Sequence, residues 1–324
     1  MQHLQEELQV AKAAVRHAAR ICHNVRQALV PEVLEKQDRS PVTMADFASQ
    51  AVICRALRST FTDDAIIGEE NADALRQPDQ EPFLEHIQHE LKQTGLQASG
   101  HDICDWIDAG STQSFCERFW TLDPIDGTKG YLRGGQYAVA LALVIDGRVA
   151  VGVLGCPNLP FSDDPATGSL FTAVRGHGSW VEPLHSDSDG NASKLNVSQA
   201  ESWRICESVE SGHSAHGRSA KVARELGISR EPLRMDSQAK YAAVAQGQAE
   251  IYLRLPTRTA YTEKIWDHAA GAVIVEEAGG RVSDVDGKPL EWTHGYQLEV
   301  NRGVVVTNGP AHSRVMQALR DQGV

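Results

Sequence analysis

The sequence predicts a protein of mixed α+β and α/β class that is organised in two domains. Near the N-terminus, apolar residues recur every three to four positions, which indicates an amphipathic helix. Two long apolar runs flank an Asp-Gly pair at 146–147, as in a β-hairpin. From about residue 200, short strand-like runs alternate with helical patterns. The 324 residues are enough to bury a core in each domain, and the segment 155–160 is the predicted crossing point between domains 1–157 and 158–324.

The acidic composition argues against one broad class of partner. The formal net charge is −12 at pH 7, whereas binding to duplex nucleic acid needs a basic face that neutralises phosphates. The acidic composition is compatible with a small anionic ligand if metal ions and a few local cations bind that ligand. No apolar run reaches the ~18 residues of a membrane span, and the N-terminus lacks a secretory hydrophobic segment. We therefore expect a soluble protein in the cytoplasm, or in an organelle after loss of a transit segment.

The first predicted elements are two helices. One begins at Leu4, keeps its apolar stripe to Leu29 and ends near Pro31. The other follows the stretch SPVTMAD at 40–46. Within this stretch Thr43 and Asp46 have the spacing of a capping box, so Asp46 taken alone is interpreted as a helix cap.

A short buried strand is predicted at 65–67, and two adjacent acids, Glu69 and Glu70, follow it directly. Strand ends in layered α/β domains are where ligand-binding groups are presented. We therefore expect Glu70 to be a ligand. Residues 71–104 are predicted to be a peripheral insertion with a modest helix that begins at Phe83.

Neither the histidines nor the cysteines have the spacing of a zinc site. His86 and His89 lie one helical turn apart, but no third zinc-type ligand is near, so a solvated helix face is expected. The six cysteines have no Cys-x-x-Cys spacing. Buried free thiols are therefore expected rather than a zinc or disulfide framework.

The stretch 120–130 is the chemical centre of the sequence. An apolar run leads into Asp123 and Asp126, and the intervening Pro124 and the following Gly127 force the backbone to turn. At such a turn both carboxylates and the carbonyl of Ile125 can point into one volume, which is the oxygen cage that Mg²⁺ prefers. The alternative is a pair of solvated surface turns.

The second half is predicted to alternate strands and helices. A hairpin is centred on 175–178, strands lie at 204–209, 233–236, 251–254 and 303–307, and helices end at 227 and 247, start at Asp267 and follow Pro310. Like the earlier acids, Asp267 follows an apolar segment and stands at the end of an element.

Four carboxylates, those of Glu70, Asp123, Asp126 and Asp267, thus share one sequence context. If they converge in one site of low dielectric, their mutual repulsion requires cations. Two Mg²⁺ ions ~4 Å apart would support an in-line displacement at phosphorus. Thr128 follows Gly127 where a helix can begin, so its hydroxyl is placed to orient a water or a phosphate oxygen.

Several long segments resemble signatures of the inositol monophosphatase superfamily: SPVTMAD, GEE, LDPIDGTKGYLRGGQYAVALAL and IWDHAAGAVIVEEAGG. Within it, ESGHSAH, DSQAKY and YLRLP resemble the 3'(2'),5'-bisphosphate nucleotidases. The resemblance covers nearly the whole chain and is absent at 71–104 and 183–193. It implies a layered αβαβα sandwich of the sugar phosphatase type. The first domain would carry most metal ligands, and the second would carry the nucleotide subsite and the last metal ligand.

The resemblance also implies an activity in sulfur assimilation. Water activated by two or three Mg²⁺ ions would remove the 3'-phosphate of adenosine 3',5'-bisphosphate to leave AMP, or that of its sulfated precursor PAPS to leave APS, with sensitivity to Li⁺. The partner is then a small nucleotide rather than a nucleic acid or a membrane, and a monomer is favoured. Hydrolysis of inositol phosphates, alone or in addition, stays open, as does a non-enzymatic sensor on the same fold.

The same resemblance assigns roles to individual residues. The implied metal ligands are Glu70, Asp123, the carbonyl of Ile125, Asp126 and Asp267. The implied catalytic pair that orients water is Asp46 and Thr128. The implied substrate contacts are Thr128, His213, Ser237, Lys240, Arg254 and Asp267.

Overall fold

The computed structural model describes residues 4–27, 33–35, 41–161, 167–185, 192–209, 216–256 and 261–324. The helices in these ranges are α1 (Gln5–Gln27), α2 (Met44–Thr60), α3 (Glu81–Gln93), α4 (Gly100–Asp108), α5 (Thr128–Arg133), α6 (His216–Glu225), α7 (Ala239–Ala245), α8 (Ala269–Glu277) and α9 (His312–Asp321). The strands are β1 (Val33–Glu35), β2 (Pro41–Thr43), β3 (Ala65–Gly68), β4 (Arg118–Asp126), β5 (Ala138–Ile145), β6 (Arg148–Cys156), β7 (Ser169–Val174), β8 (Ser179–Pro183), β9 (Ser193–Lys194), β10 (Ile205–Glu207), β11 (Leu233–Arg234), β12 (Ile251–Arg254), β13 (Arg281–Ser283) and β14 (Val304–Thr307). Short 3₁₀ turns lie at Pro78–Gln80 and Ile265–Asp267. Across these ranges the helices fall short of the length and apolar character that crossing a membrane requires.

Two sheets form the framework. The larger has the strand order β3-β4-β5-β6-β7-β8-β9; β3 pairs parallel with β4, and every later pair is antiparallel. The smaller has the order β11-β10-β12-β14-β13 and is mixed, because β10 runs parallel to β11 and β12 while β14 is antiparallel to its neighbours. The crossing connections between parallel strands are made through helices, as parallel pairing requires.

Helices cover both faces of the larger sheet and separate the two sheets. One core lies between the larger sheet and α1 with α2. A second core joins the other face of that sheet to α7, α8 and the smaller sheet. A third joins the smaller sheet to α6 and α9. The order of layers is therefore helix, sheet, helix, sheet, helix, which confirms the αβαβα sandwich.

Side-chain size sets the approach of α8 to the larger sheet. Along β5, Leu141 and Leu143 face the core on the α1 side, whereas the small side chains of Ala140 and Ala142 face α8. On the neighbouring strand, a Cβ atom at Gly152 would lie 2.8 Å from the carbonyl oxygen of Ala270. Only glycine permits this approach, so α8 packs directly on the sheet backbone.

Two predictions about organisation need correction. The larger sheet does not end at residue 157, because β7, β8 and β9 continue it to Lys194, so the predicted boundary falls inside a sheet. Residues 71–104 are not merely peripheral either. Helix α3 and the first half of α4 lie in this segment, pack on α2 and bury Phe83, Ile87 and Ile103 in the first core. Helix α4 and strands β1, β2, β9 and β13 were not predicted.

Other local predictions are confirmed. Asp146 (φ 51°) and Gly147 (φ 70°) form the hairpin turn between β5 and β6. His86 and His89 lie on the exposed face of α3. All six cysteines are free, and five are buried while Cys116 is half-buried. An irregular stretch of backbone and two aspartates lie together at the C-terminal end of β4.

Candidate active site

The end of β4 departs from a regular strand. Its pairing with β5 is interrupted between Asp123 and Asp126. There the Ile125 N–H donates to Asp123 Oδ1 at 3.0 Å, and the Ser49 hydroxyl donates to the Pro124 carbonyl at 2.9 Å. Gly127 then adopts φ +87° and starts α5. These bonds hold both aspartates at the sheet edge instead of letting them alternate across the sheet.

Three carboxylates converge at this edge. Oxygens of Asp123, Asp126 and Asp267 all lie within 4.8 Å of one another, and Asp267 comes from the 3₁₀ turn that precedes α8. Burial raises the pKa of Asp123 well above its usual range, and the negative charges of Glu69, Asp126 and Asp267 raise it further. Burial and then the charge of Asp126 likewise raise the pKa of Asp267. Hard oxygen donors that repel one another suit a divalent cation of the Mg²⁺, Mn²⁺ or Ca²⁺ type.

The fourth carboxylate at this site belongs to Glu69. In the parallel pairing of β3 with β4, Gly68 is opposite Leu122, and the Glu69 N–H donates to the Leu122 carbonyl at 3.3 Å. Glu69 thus stands beside Asp123 where the two paired strands end, and after burial its negative charge is the largest influence that raises the pKa of Asp123. The geometry favours Glu69 over Glu70, against the sequence-based choice.

Glu70 has a different setting. It is 5% exposed, its N–H donates to the Gln50 side-chain oxygen at 3.0 Å, and its carbonyl accepts from the Gln50 amide at 2.5 Å. This clamp fixes the backbone that carries Glu69. Strand alternation supplies the missing signal, since adjacent residues of a strand point to opposite faces and only one of the two acids can share the face of Asp123.

Asp46 serves both as a helix cap and as a neighbour of the site. One of its carboxylate oxygens, Oδ2, accepts from the N–H and the hydroxyl of Thr43, each at 2.7 Å, which completes a capping box. The other oxygen, Oδ1, accepts from the Thr128 hydroxyl at 3.5 Å. That hydroxyl also lies 3.2 Å from the Ile125 carbonyl. The capping interpretation is therefore confirmed, and the structure also brings Asp46, Thr128 and Ile125 together.

Two cations face the carboxylates: Lys240 comes from α7, and Arg254 comes from the end of β12 in the smaller sheet. After burial, the largest influence on the pKa of Asp126 is the positive charge of Lys240, which lowers it. After burial and Asp126, the largest influence on the pKa of Asp267 is Arg254, which also lowers it. Lys240 is buried and donates from Nζ to the Ser237 carbonyl at 2.7 Å. Ser237 itself has φ +67°, an uncommon value for serine. His213 lies outside the described residues.

A buried hydrogen-bond chain supports Arg254. Its Nε donates to Glu263 at 3.0 Å, the other Glu263 oxygen lies 3.2 Å from His268 Nε2, and His268 Nδ1 lies 2.7 Å from the Tyr241 hydroxyl. Burial alone would raise the pKa of Glu263, but Arg254 and His268 hold it at about 2. Glu263 and His268 were not singled out from the sequence, because only the tertiary fold pairs them with Arg254.

Comparisons with known proteins agree with this geometry. The model of the inositol monophosphatase family matches residues 3–323. The chain is 44% identical to a 3'(2'),5'-bisphosphate nucleotidase of Schizosaccharomyces pombe over 96% of this chain and 94% of the relative. It is 42% identical to a probable 3'(2'),5'-bisphosphate nucleotidase of Arabidopsis thaliana, with 98% and 95% covered.

Among solved structures, an IMPase of Thermotoga maritima superposes with a TM-score of 0.66 at 21% identity, covering 98% of both chains. CysQ of Bacteroides thetaiotaomicron gives 0.64 at 20% identity, covering 95% of this chain and 98% of the other. These two structures share the fold. From the family match over nearly its full length and from its near relatives, the chain belongs to the inositol monophosphatase family.

Proposed function

We propose that the chain is a Mg²⁺-dependent 3'(2'),5'-bisphosphate nucleotidase. It would convert adenosine 3',5'-bisphosphate to AMP, and its 5'-phosphosulfate analogue PAPS to APS. The observation that carries the proposal is the placement of two cations, Lys240 and Arg254, beside a cluster of carboxylates. The cluster suits a reacting phosphate, and the cations suit a second phosphate that does not react. The names of the relatives support the same substrate class.

The metal ions would be held by oxygen ligands from both halves of the chain. The proposed ligands are Glu69, Asp123, the carbonyl of Ile125, Asp126 and Asp267. When bound, two or three Mg²⁺ ions would neutralise these carboxylates and act as Lewis acids towards the phosphate and the attacking water. The raised pKa values of Asp123 and Asp267 support the assignment, because such groups are stable as anions only beside positive charge.

Asp46 and Thr128 would orient the attacking water. The Thr128 hydroxyl donates to Asp46 Oδ1, so its oxygen is left with lone pairs that can accept a hydrogen bond from water. The water oxygen then attacks phosphorus, and the bond from phosphorus to the 3'-oxygen of the ribose breaks. One proton of the water passes to Thr128 Oγ1 as the Thr128 proton passes to Asp46 Oδ1. The 3'-oxygen leaves as an alkoxide that takes a proton from solvent water to become the 3'-hydroxyl, and Asp46 afterwards returns its proton to solvent. The other oxygen of Asp46 stays fixed by Thr43, which limits the rotation of the carboxylate.

The nucleoside would occupy a cavity beside the phosphate subsite. A cavity of about 310 Å³ is lined by Gln136, Asn158, Val209, Met235 and Asp236, directly before Ser237 in the chain. It has room for a base, and it offers amide groups together with apolar surface. His213, which the family resemblance implies as a substrate contact, is proposed as a further contact to the nucleotide. All of these groups belong to one chain, so the proposed site is complete in a monomer.

Lys240→Ala tests the 5'-phosphate subsite. A charge-assisted contact is worth ~1.5–3 kcal/mol, so kcat/KM for adenosine 3',5'-bisphosphate should fall about 10–150-fold. Hydrolysis of a substrate with a single phosphate should change much less, because it has no group for this subsite. The ratio of the two rates corrects for any loss of folded protein. An equal loss on both substrates would place Lys240 outside the subsite.

A phosphate-release assay tests the activity itself. The substrates are adenosine 3',5'-bisphosphate, PAPS, inositol 1,4-bisphosphate and inositol 1-phosphate. We expect the two nucleotides to be hydrolysed fastest, with activity lost on chelation, restored by Mg²⁺ and inhibited by Li⁺. Faster release from the inositol phosphates would assign the chain to the sister activity. An undiminished rate of hydrolysis in the presence of the chelator would rule out the metal-dependent mechanism.

A further inference from the structure

Gln238 links the two segments that carry Asp126 and Asp267. It is 1% exposed and directly precedes α7. Its backbone N–H donates to Asp126 Oδ2 at 2.6 Å. Its side-chain Nε2 donates to the Trp266 carbonyl at 2.8 Å, and its Oε1 accepts from the Gly271 N–H at 2.9 Å. One residue therefore contacts both segments and belongs to neither.

The side-chain bonds enclose Asp267 from both sides. Trp266 precedes Asp267 in the 3₁₀ turn, and Gly271 is the third residue of α8. The first N–H groups of a helix lack partners within it, and His268, the N-cap residue of α8, makes no side-chain capping bond. Gln238 supplies such a partner from a neighbouring element. Helix α8 also packs closely on α7, since a Cβ atom at Gly271 would meet the ring of Tyr241.

A side-chain amide is suited to this position for a chemical reason. It donates to one backbone carbonyl and accepts from one backbone N–H at the same time. A carboxylate at the same place would set an oxygen against the Trp266 carbonyl oxygen. An apolar side chain of similar length would fill the volume and leave both backbone groups without these partners.

We propose that Gln238 is a positioning residue that sets the separation of the Asp126 and Asp267 carboxylates, and that it thereby tunes the affinity of the site for divalent metal. The inference rests on the proposed function, because it assumes that these carboxylates bind metal. Without restraint, two repelling carboxylates on separate segments move apart, and metal binding must then reverse that movement. The Gln238 amide holds the Asp267 segment, while the Gln238 backbone holds Asp126, so the pair is pre-arranged.

The experiment measures Mn²⁺ binding to the substrate-free protein by calorimetry and by electron paramagnetic resonance. Gln238→Met keeps the side-chain length and the backbone bond to Asp126 and removes only the amide bonds. We expect its Mn²⁺ affinity to fall 10–100-fold, the range found when groups that orient metal ligands are lost. In assays, the Mg²⁺ concentration for half-maximal rate should rise similarly, while KM for the nucleotide at saturating Mg²⁺ stays near that of the wild type.

Asn308→Leu is the matched control. Asn308 is also a buried amide that bridges two backbone groups, donating to the Ser198 carbonyl and accepting from the Ala311 N–H, but it precedes α9, away from the carboxylates. The Asn308→Leu substitution should lower the urea concentration at the midpoint of unfolding without changing the affinity for Mn²⁺. Gln238→Asn keeps an amide with a shorter reach, and it replaces the methionine variant if that variant fails to fold; its Mn²⁺ affinity should fall as well.

The two possible failures are distinguishable. Wild-type protein that binds Mn²⁺ no better than Asp126→Asn does would overturn the proposed function. If the wild-type protein binds Mn²⁺ and a folded Gln238 variant binds it within a factor of about two, the proposed function stands and the positioning role of Gln238 is overturned.

Discussion

Single residues at this site have a structural role and, in the proposed mechanism, a chemical one. Asp46 caps α2 through one oxygen and reaches Thr128 through the other. Asp126 accepts a backbone hydrogen bond from Gln238 and shares a small volume with Asp123 and Asp267. A substitution at either residue therefore changes both folding and chemistry, so variants must be compared with controls that separate the two.

The pair Glu69 and Glu70 offers such a comparison. Glu69→Gln should lower kcat/KM at millimolar Mg²⁺ by ~100-fold or more, because it removes a charge beside Asp123 in a proposed metal site. Glu70→Gln should cause a much smaller loss, since the same backbone is held through Gln50 in both variants. Phosphate release and Mn²⁺ binding report the difference. A larger loss of activity and of Mn²⁺ binding in Glu70→Gln would indicate that Glu70, and not Glu69, is the metal ligand.

At the scale of elements, the turn between β4 and α5 determines where the carboxylates lie. Gly127 has φ +87°, and a Cβ atom there would lie 3.1 Å from Ser237 Cβ. The turn is therefore packed against the start of the Lys240 segment. The positive φ of Gly127 favours glycine, and a Cβ atom there would have to displace Ser237 by a few tenths of an ångström.

Gly127→Ala should reduce both stability and activity. A left-handed conformation costs a non-glycine residue ~1–2 kcal/mol, and the contact with Ser237 adds to this cost by pushing the two segments apart. Gly176→Ala is the control, because Gly176 has φ +79° with nothing within 4 Å of the added Cβ. Urea unfolding should show a cost in both variants, and only Gly127→Ala should lose phosphatase rate. Equal phosphatase rates in the Gly127→Ala and Gly176→Ala variants would show that the turn between β4 and α5 can shift without loss of activity.

Elements defined by local chemistry were predictable from the sequence, and those defined by tertiary pairing were not. The Asp-Gly hairpin at 146–147 and the turn after Asp123 follow from residues that restrict their own backbone. Choosing Glu69 requires the register of β3 on β4. The roles of Gln238 and Glu263 depend on partners far along the chain or in another element. The pairing of β9 with β8 is equally non-local, because β9 consists of two exposed polar residues, Ser193 and Lys194, that give no periodic signal in the sequence.

At the scale of the whole molecule, buried polar groups hold the outer helix α9 on the smaller sheet. His312 on α9 lies 3.2 Å from the Ser283 hydroxyl and 3.1 Å from the Thr307 hydroxyl, which ties α9 to β13 and β14. Burial, with a smaller effect of Arg281, lowers the pKa of His312 from 6.5 to about 4. The folded state therefore keeps this imidazole neutral at a pH where the unfolded chain protonates it.

The sign of the pH dependence follows from that difference. Above pH 6.5 the imidazole is neutral in both the folded and the unfolded state, so it does not affect the free energy of unfolding. As the pH falls from 6.5 towards 4, only the unfolded state takes up the proton. The free energy of unfolding therefore falls, by about 3 kcal/mol at most. His312→Gln should remove this part of the pH dependence. Urea unfolding of both proteins at pH about 7 and about 4.5 measures it. Parallel pH dependences would show that His312 titrates normally in the folded state.

The inner layer of α7 and α8 has a consequence for how the molecule folds. Its core joins Phe119 and Ala140 from the first half of the chain to Tyr252, Val273 and Val306 from the second. A fragment that ends at the middle of the chain would leave one face of the larger sheet open to water, and the remaining fragment would lack the surface on which α8 rests. Each fragment alone would therefore expose apolar surface that the complete chain buries. Since Asp123 and Asp267 come from the two halves of the chain, the carboxylate cluster forms only when both halves have packed on each other, and phosphatase activity then serves as a readout of that packing.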